Sequence, residues 1–90
     1  MRIMKNPDLI LRNIAGENVL IPTGKLASVF NGMISLNETG AFLWKSLEET
    51  GDRDAMVKAL CGEYDVAEDV ASADVDEYLD KLREAGCIED

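Results

Sequence analysis

The sequence predicts an α+β fold in which a small N-terminal antiparallel sheet packs on three C-terminal helices, in a winged-helix-like arrangement. Short apolar segments separated by turn residues occupy the chain up to Leu36, which is typical of strands. Apolar residues at helical spacing follow from Asn37 onward. Sequential strands usually lie beside one another, which favours a single small sheet. A length of 90 residues suits one domain spanning residues 1–90.

The first two strands are predicted to form a hairpin. Pro7 and Asp8 precede an apolar segment at residues 9–14, and a second apolar segment follows at residues 19–21. Residues 15–18 (AGEN) are typical of a turn, so we expect a hairpin with a longer loop.

Two further apolar segments flank an Asn-Gly dipeptide. Residues 26–30 precede Asn31-Gly32, and residues 33–36 follow it. Asn-Gly between apolar segments is a strong hairpin signal because both central turn residues need positive φ. Residues 26–30 therefore fit either a short third strand or an irregular return of the chain. Residues 33–36 are predicted to be the last strand, with Ile34 and Leu36 facing the core.

Three amphipathic helices are predicted after this strand. Asn37 is a good N-cap, and Gly40, Leu43, Trp44 and Leu47 then share one face. Phe42 points nearly opposite, either as an ordinary exposed apolar residue or as part of a contact surface. Asp52 caps the second helix, whose apolar stripe is Met56, Ala59 and Leu60.

The third helix is predicted over residues 67–85. Its apolar arc is formed by Ala71, Val75, Tyr78, Leu79, Leu82 and Ala85. Gly86 fits the C′ position, after which Cys87 and Ile88 can fold back as a hydrophobic tail.

Composition excludes several classes of function. The net charge of −9 disfavours binding to nucleic acid, because it repels the phosphate backbone. Histidine, the commonest general base, is absent, and no glycine pattern matches a phosphate or dinucleotide loop. We interpret the acidic runs as solvated surface rather than a metal site, and Cys61 and Cys87 as small buried apolar residues. We expect no enzyme activity, no cofactor, no signal peptide and no membrane span, and hence a cytoplasmic protein.

Two motifs carry a resemblance to a known family. Residues 34–44 (ISLNETGAFLW) give a strand ending in Leu-Asn followed by a small-residue helix start. The later motif has the pattern Asp-Val-x-x-Phe-Leu-x-x-Leu-x-x-x-Gly, matched here by Asp74, Val75, Tyr78, Leu79, Leu82 and Gly86. Across residues 9–89 the chain resembles the PqqD family, named for its part in making pyrroloquinoline quinone. The resemblance implies a non-catalytic adaptor that binds the leader of a ribosomally made precursor peptide and presents it to a modifying enzyme, often a radical-SAM enzyme.

The resemblance also implies that the leader adds as a strand to the sheet and packs against the third helix. The strand at residues 33–36 lacks charge and proline, whereas the first strand carries Asp8, Arg12 and Asn13 and follows Pro7, which blunts that edge. The predicted peptide-binding residues are Met33, Ile34, Ser35, Leu36, Val75, Tyr78, Leu79 and Leu82. For Ile34, Leu36, Leu79 and Leu82, a purely structural role in the core is an equally good interpretation.

Two functions from other classes remain as alternatives. A winged helix can bind DNA, but the predicted third helix offers only Lys81 and Arg83 among many acidic residues. A dimerisation or scaffold role would place Phe42 in an interface between two copies of the chain.

Overall fold

A computed structural model describes residues 2–28 and 32–89 and has the predicted α+β arrangement. The strands are β1 (Met4–Lys5), β2 (Leu9–Ile14), β3 (Glu17–Pro22), β4 (Ile34–Leu36) and β5 (Ile88–Glu89). The helices are α1 (Gly24–Ala27), α2 (Glu38–Thr50), α3 (Arg53–Tyr64) and α4 (Glu68–Glu84).

Strands β2, β3 and β4 form an antiparallel sheet with β3 in the centre. The β2–β3 connection is a two-residue turn, since β3 already begins at Glu17. The prediction of a longer loop is therefore wrong. Ala15 and Gly16 both adopt positive φ, 52° and 87°, which is the geometry that a tight primed turn requires.

The described residues between β3 and β4, residues 23–28 and 32–33, form no strand. Gly24–Ala27 is one turn of helix, and the Ala27 amide donates to the Thr23 carbonyl at 3.2 Å. Asn31 and residues 29–30 lie outside the described residues. Strand β4 pairs with β3, with Ile34 opposite Leu20. The predicted hairpin turn at Asn31-Gly32 falls partly on the residues that are not described and stays a prediction.

Local capping positions the helices as predicted. The Asn37 side chain accepts a hydrogen bond from the Gly40 amide at 2.7 Å, and Asp52 caps α3 by accepting from Ala55. Gly51 ends α2 with φ 59°. A Cβ on Gly51 would lie 2.8 Å from the Ile3 carbonyl oxygen, so the N-terminal segment approaches the end of this helix too closely for a side chain.

The core lies between the sheet and α2, α3 and α4. Its largest fully buried side chains are Trp44, Leu9, Leu20, Met56, Val75 and Cys87. The predicted apolar faces of the helices are buried except at Ala59 and Tyr78, which are half-buried, and at Ala85, which is exposed because it is already the C-cap residue of α4. Val57, which the sequence argument missed, is also buried.

An ion pair joins α3 to α4 at the surface. The Arg53 guanidinium contacts the Asp76 carboxylate, with an Nε–Oδ1 distance of 2.8 Å, and also donates to Ser72. This contact holds the pKa of Asp76 below its ordinary value.

The two ends of the chain meet in a small second sheet that the sequence did not predict. Strand β1 pairs antiparallel with β5, and the Asn6 amide donates to the Cys87 carbonyl at 2.8 Å. Cys87 and Ile88 are buried, as expected for a hydrophobic tail, whereas Cys61 is half-buried; both thiols are free. Within the described ranges, no helix is long and apolar enough to span a membrane.

Candidate functional site

Strand β4 forms one edge of the three-stranded sheet. It pairs with β3 on one side, and no other strand of residues 2–28 and 32–89 pairs with its second side. Met33, just before β4, is 59% exposed. Within β4, Ser35 is exposed, while Ile34 and Leu36 are half-buried. The backbone on this side can therefore accept a further strand.

A groove of about 480 Å³ runs beside this edge. It lies between the end of β4, the start of α2 and the middle of α4. The residues that line it are Ser35, Leu36, Asn37, Thr39, Gly40, Leu43, Asp74, Glu77, Tyr78 and Lys81. Leu36 and Leu43 supply aliphatic surface next to the Tyr78 ring, so the groove can take an apolar side chain.

Tyr78 connects α4 to α2 inside this groove. Its hydroxyl donates a hydrogen bond to the Gly40 carbonyl oxygen at 2.7 Å. Burial raises the pKa of Tyr78 well above its ordinary value, which keeps the hydroxyl protonated and able to donate.

Gly40 lets the start of α2 approach the end of β4. A Cβ at this position would lie 3.1 Å from the Asn37 Oδ1 atom and 3.4 Å from the Leu36 Cβ atom. The Asn37 cap and the Tyr78 hydroxyl both bond to the backbone of Gly40, so one residue fixes the distance between strand and helices.

Charged side chains line the helical wall of the groove. Glu77 and Lys81 form an ion pair on α4 with an Oε1–Nζ distance of 3.1 Å, and both side chains are well exposed. Asp74 lies one turn before Tyr78 and is also exposed. The lining therefore carries two carboxylates and one ammonium group.

The structure places the predicted site residues in three environments. Met33 and Ser35 are exposed along the strand, and Ile34 and Leu36 are half-buried. Tyr78 lines the groove. Val75, Leu79 and Leu82 lie in the core behind it.

Sequence reasoning missed much of the groove lining. The additional residues are Asn37, Thr39, Gly40, Leu43, Asp74, Glu77 and Lys81. The predicted Asn37 cap was a usable signal, because a capped helix that directly follows an edge strand brings its first turn beside that strand.

Other surface features are less organised. Among the described residues, no group of three or more potential ligand side chains could hold a metal ion. The ring of Phe42 packs edge-on against Tyr64 with centroids 5.6 Å apart, so part of its apolar surface is used within the monomer. The dimerisation alternative that involves Phe42 stays a prediction.

Comparison with protein-family models identifies this architecture. Residues 17–88 match the family described as coenzyme PQQ synthesis protein D (PqqD). The chain belongs to the PqqD family. The matched part includes β3, β4 and the whole groove lining, and the resemblance stated from the two sequence motifs is confirmed. No curated protein gives a significant sequence match to this PqqD-family chain.

Two solved structures share the fold of this PqqD-family chain. One is TbiB1 in complex with the TbiA(beta) leader peptide, with 24% identity, a TM-score of 0.77 and coverage of 96% of this chain and 94% of that one. The other is a lasso peptide synthetase B1 complexed with the leader peptide, with 20% identity, a TM-score of 0.79 and full coverage of both chains.

Proposed function

We propose that this PqqD-family chain is a non-catalytic adaptor that binds the leader segment of a ribosomally made precursor peptide and presents it to a modifying enzyme. The observation that carries the proposal is the open edge of β4 beside a partly apolar groove. An extended peptide can satisfy the backbone groups of the edge while its alternate side chains enter the groove.

The division of residues between strand and helix suits this role. Ser35 and Met33 are exposed beside the edge, where a peptide backbone would pair. Leu36, Leu43 and Tyr78 would contact side chains of the peptide. Val75, Leu79 and Leu82 would contribute indirectly, by holding the helical wall in place from the core.

The leader is the best candidate for the peptide because both similar structures were solved with a leader peptide. Strand β4 is only three residues long, so few backbone hydrogen bonds are available. We expect a dissociation constant on the order of 1 μM, which corresponds to about −8 kcal/mol.

An NMR titration tests the proposal. The probes are synthetic leader peptides encoded by short open reading frames next to the gene for this chain. We expect shifts of the amides of residues 33–36 and of α4 around Tyr78, with β1 and β5 unaffected. No shift at either place with any of these peptides, at concentrations up to about 1 mM, would contradict the proposal.

The partner enzyme can be tested separately. The modifying enzyme encoded beside the same reading frame, of the radical-SAM class or another, should process its precursor more slowly without this chain. Addition of the chain should restore the rate, and the chain alone should leave the precursor unmodified. Processing at an equal rate without the chain would exclude the adaptor role.

A further inference from the structure

The helical wall of the groove carries an unpaired negative charge. The Asp74 carboxylate forms no ion pair or side-chain hydrogen bond with any residue in ranges 2–28 and 32–89. Glu77 is engaged by Lys81, but only through a well-exposed contact within one helix. Such contacts contribute little and exchange readily with a competing cation. The wall thus has one carboxylate without a partner and a second that a stronger partner can recruit.

The apolar and acidic parts of the groove lie side by side. Asp74 precedes Tyr78 by four residues on α4, so both side chains lie on the same helix face about one turn apart. Four residues of α-helix rise by about 6.0 Å, and side chains on one face of an extended peptide recur at about 6.6–6.8 Å. On a bound strand that runs along α4, neighbouring inward-facing side chains would therefore recur at nearly the spacing between Tyr78 and Asp74.

We infer that the groove selects a leader in which a lysine or arginine stands two residues from an apolar side chain, with the apolar side chain at Leu36 and Tyr78 and the cation at Asp74 and Glu77. This inference rests on the proposed function and adds the chemical class of the peptide. The net charge of −9 acts in the same direction, because it attracts basic peptides and repels acidic ones before contact.

The ammonium group of Lys81 would instead favour an acidic residue in the leader. Its ammonium already lies 3.1 Å from the Glu77 carboxylate, and the groove lining has two carboxylates to one ammonium. A peptide carboxylate would have to displace Glu77 and would meet Asp74 nearby. The basic residue is therefore the occupant that the charges favour.

A positional-scanning library of nine-residue synthetic peptides, acetylated and amidated at the ends, tests the inference. Binding to the parent chain should enrich lysine and arginine at one position and large apolar residues two positions away. Replacing the basic residue of the best binder with norleucine should weaken binding about two- to fivefold. The Asp74→Asn variant should lose the preference for the basic peptide by a similar factor.

Matched variants separate local from general charge effects. Glu84→Gln removes the same charge from an exposed position of α4 outside the groove, and it should leave the preference unchanged. Lys81→Gln frees Glu77 and should strengthen binding of the basic peptide. Weaker binding in Lys81→Gln, or enrichment of acidic residues, would overturn the inference.

The outcomes also distinguish this inference from the proposed function. Peptides that shift the amides of residues 33–36 but show no basic preference would overturn the inference and leave the adaptor role intact. If no library peptide or encoded leader shifts those amides, both the proposed function and the inference fail.

Discussion

At the scale of single residues, Tyr78 is the most informative contact. Its hydroxyl joins α4 to the backbone of Gly40, where β4 passes into α2. We predict that Tyr78→Phe lowers the free energy of unfolding by about 0.5–1.5 kcal/mol, the usual net value of one hydrogen bond. Urea denaturation followed by Trp44 fluorescence measures this change. An unchanged stability together with unchanged peptide affinity would show that the hydrogen bond has no structural role.

The pH dependence of the same contact follows from the raised pKa of Tyr78. The pKa of Tyr78 is higher in the folded chain than its value of about 10 in the unfolded chain, so the contribution of the Tyr78 hydroxyl to the stability is complete below pH 10. It is lost as the pH rises above 10 toward the folded pKa. The stability difference between the parent chain and Tyr78→Phe should therefore be constant from about pH 6 to 9 and should shrink at more alkaline pH. A difference that varies between pH 6 and 9 would contradict this assignment.

Residue-scale predictions succeeded where a local interaction decides the structure. Three such predictions depend only on nearby backbone groups, and the structure has all of them. They are the helix N-caps at Asn37 and Asp52 and the glycine with positive φ at the C′ position of α4, Gly86. The groove lining needs a further fact, the separation of α4 from β4, which tertiary packing sets. Sequence spacing found Tyr78 through its helical periodicity, but it could not show that Val75 lies wholly in the core and Asp74 at the groove.

At the scale of elements, the two edges of the sheet differ in chemistry. Strand β2 carries Arg12 and Asn13 along its exposed end, whereas β4 has no charged side chain. Charged side chains oppose the pairing of an edge with another strand. The edge at β4 is therefore the one that a peptide should use.

We predict that Met33→Pro weakens peptide binding several-fold while it changes thermal stability only slightly. Met33 lies just before the residues that pair with β3, so a proline here costs no residue of the existing register. The proline also removes the backbone N–H of residue 33, to which a bound strand could form a hydrogen bond. Isothermal titration calorimetry and thermal melting measure the two effects, and Met33→Ala is the control that keeps the amide. An equal loss of affinity in Met33→Ala would assign the effect to the side chain instead.

The order of the main elements could be predicted because each carries its own pattern. Alternation and turn residues marked β2, and amphipathic periodicity marked α2, α3 and α4. The two-residue strands β1 and β5 are too short for any periodic signal, and their partners lie at opposite ends of the chain.

At the scale of the whole molecule, the pairing of β1 with β5 joins the N-terminal segment to the segment that follows α4. Ile88 is 3% exposed and belongs to the core, while its backbone pairs with Lys5. We predict that Ile88→Ala destabilises the chain by about 2–5 kcal/mol, as large-to-small changes in a core do. Because a domain of this size has little stability to lose, the thermal midpoint should fall by ten degrees or more. Glu89→Ala, an exposed change in the same strand, is the control and should have little effect.

The distribution of charge decides between peptide and nucleic acid as the partner of a winged-helix-like architecture. A recognition helix needs lysine or arginine toward the phosphates, but α4 holds seven acidic residues and only Lys81 and Arg83 as basic ones. Both basic side chains are also paired, with Glu77 and Asp80 respectively. We predict no retardation of duplex DNA in a gel shift at about 150 mM salt, with a basic winged-helix domain as positive control. Retardation at low micromolar protein that weakens as salt increases would contradict this prediction, because such a salt dependence arises only when protein cations displace counterions from the phosphates.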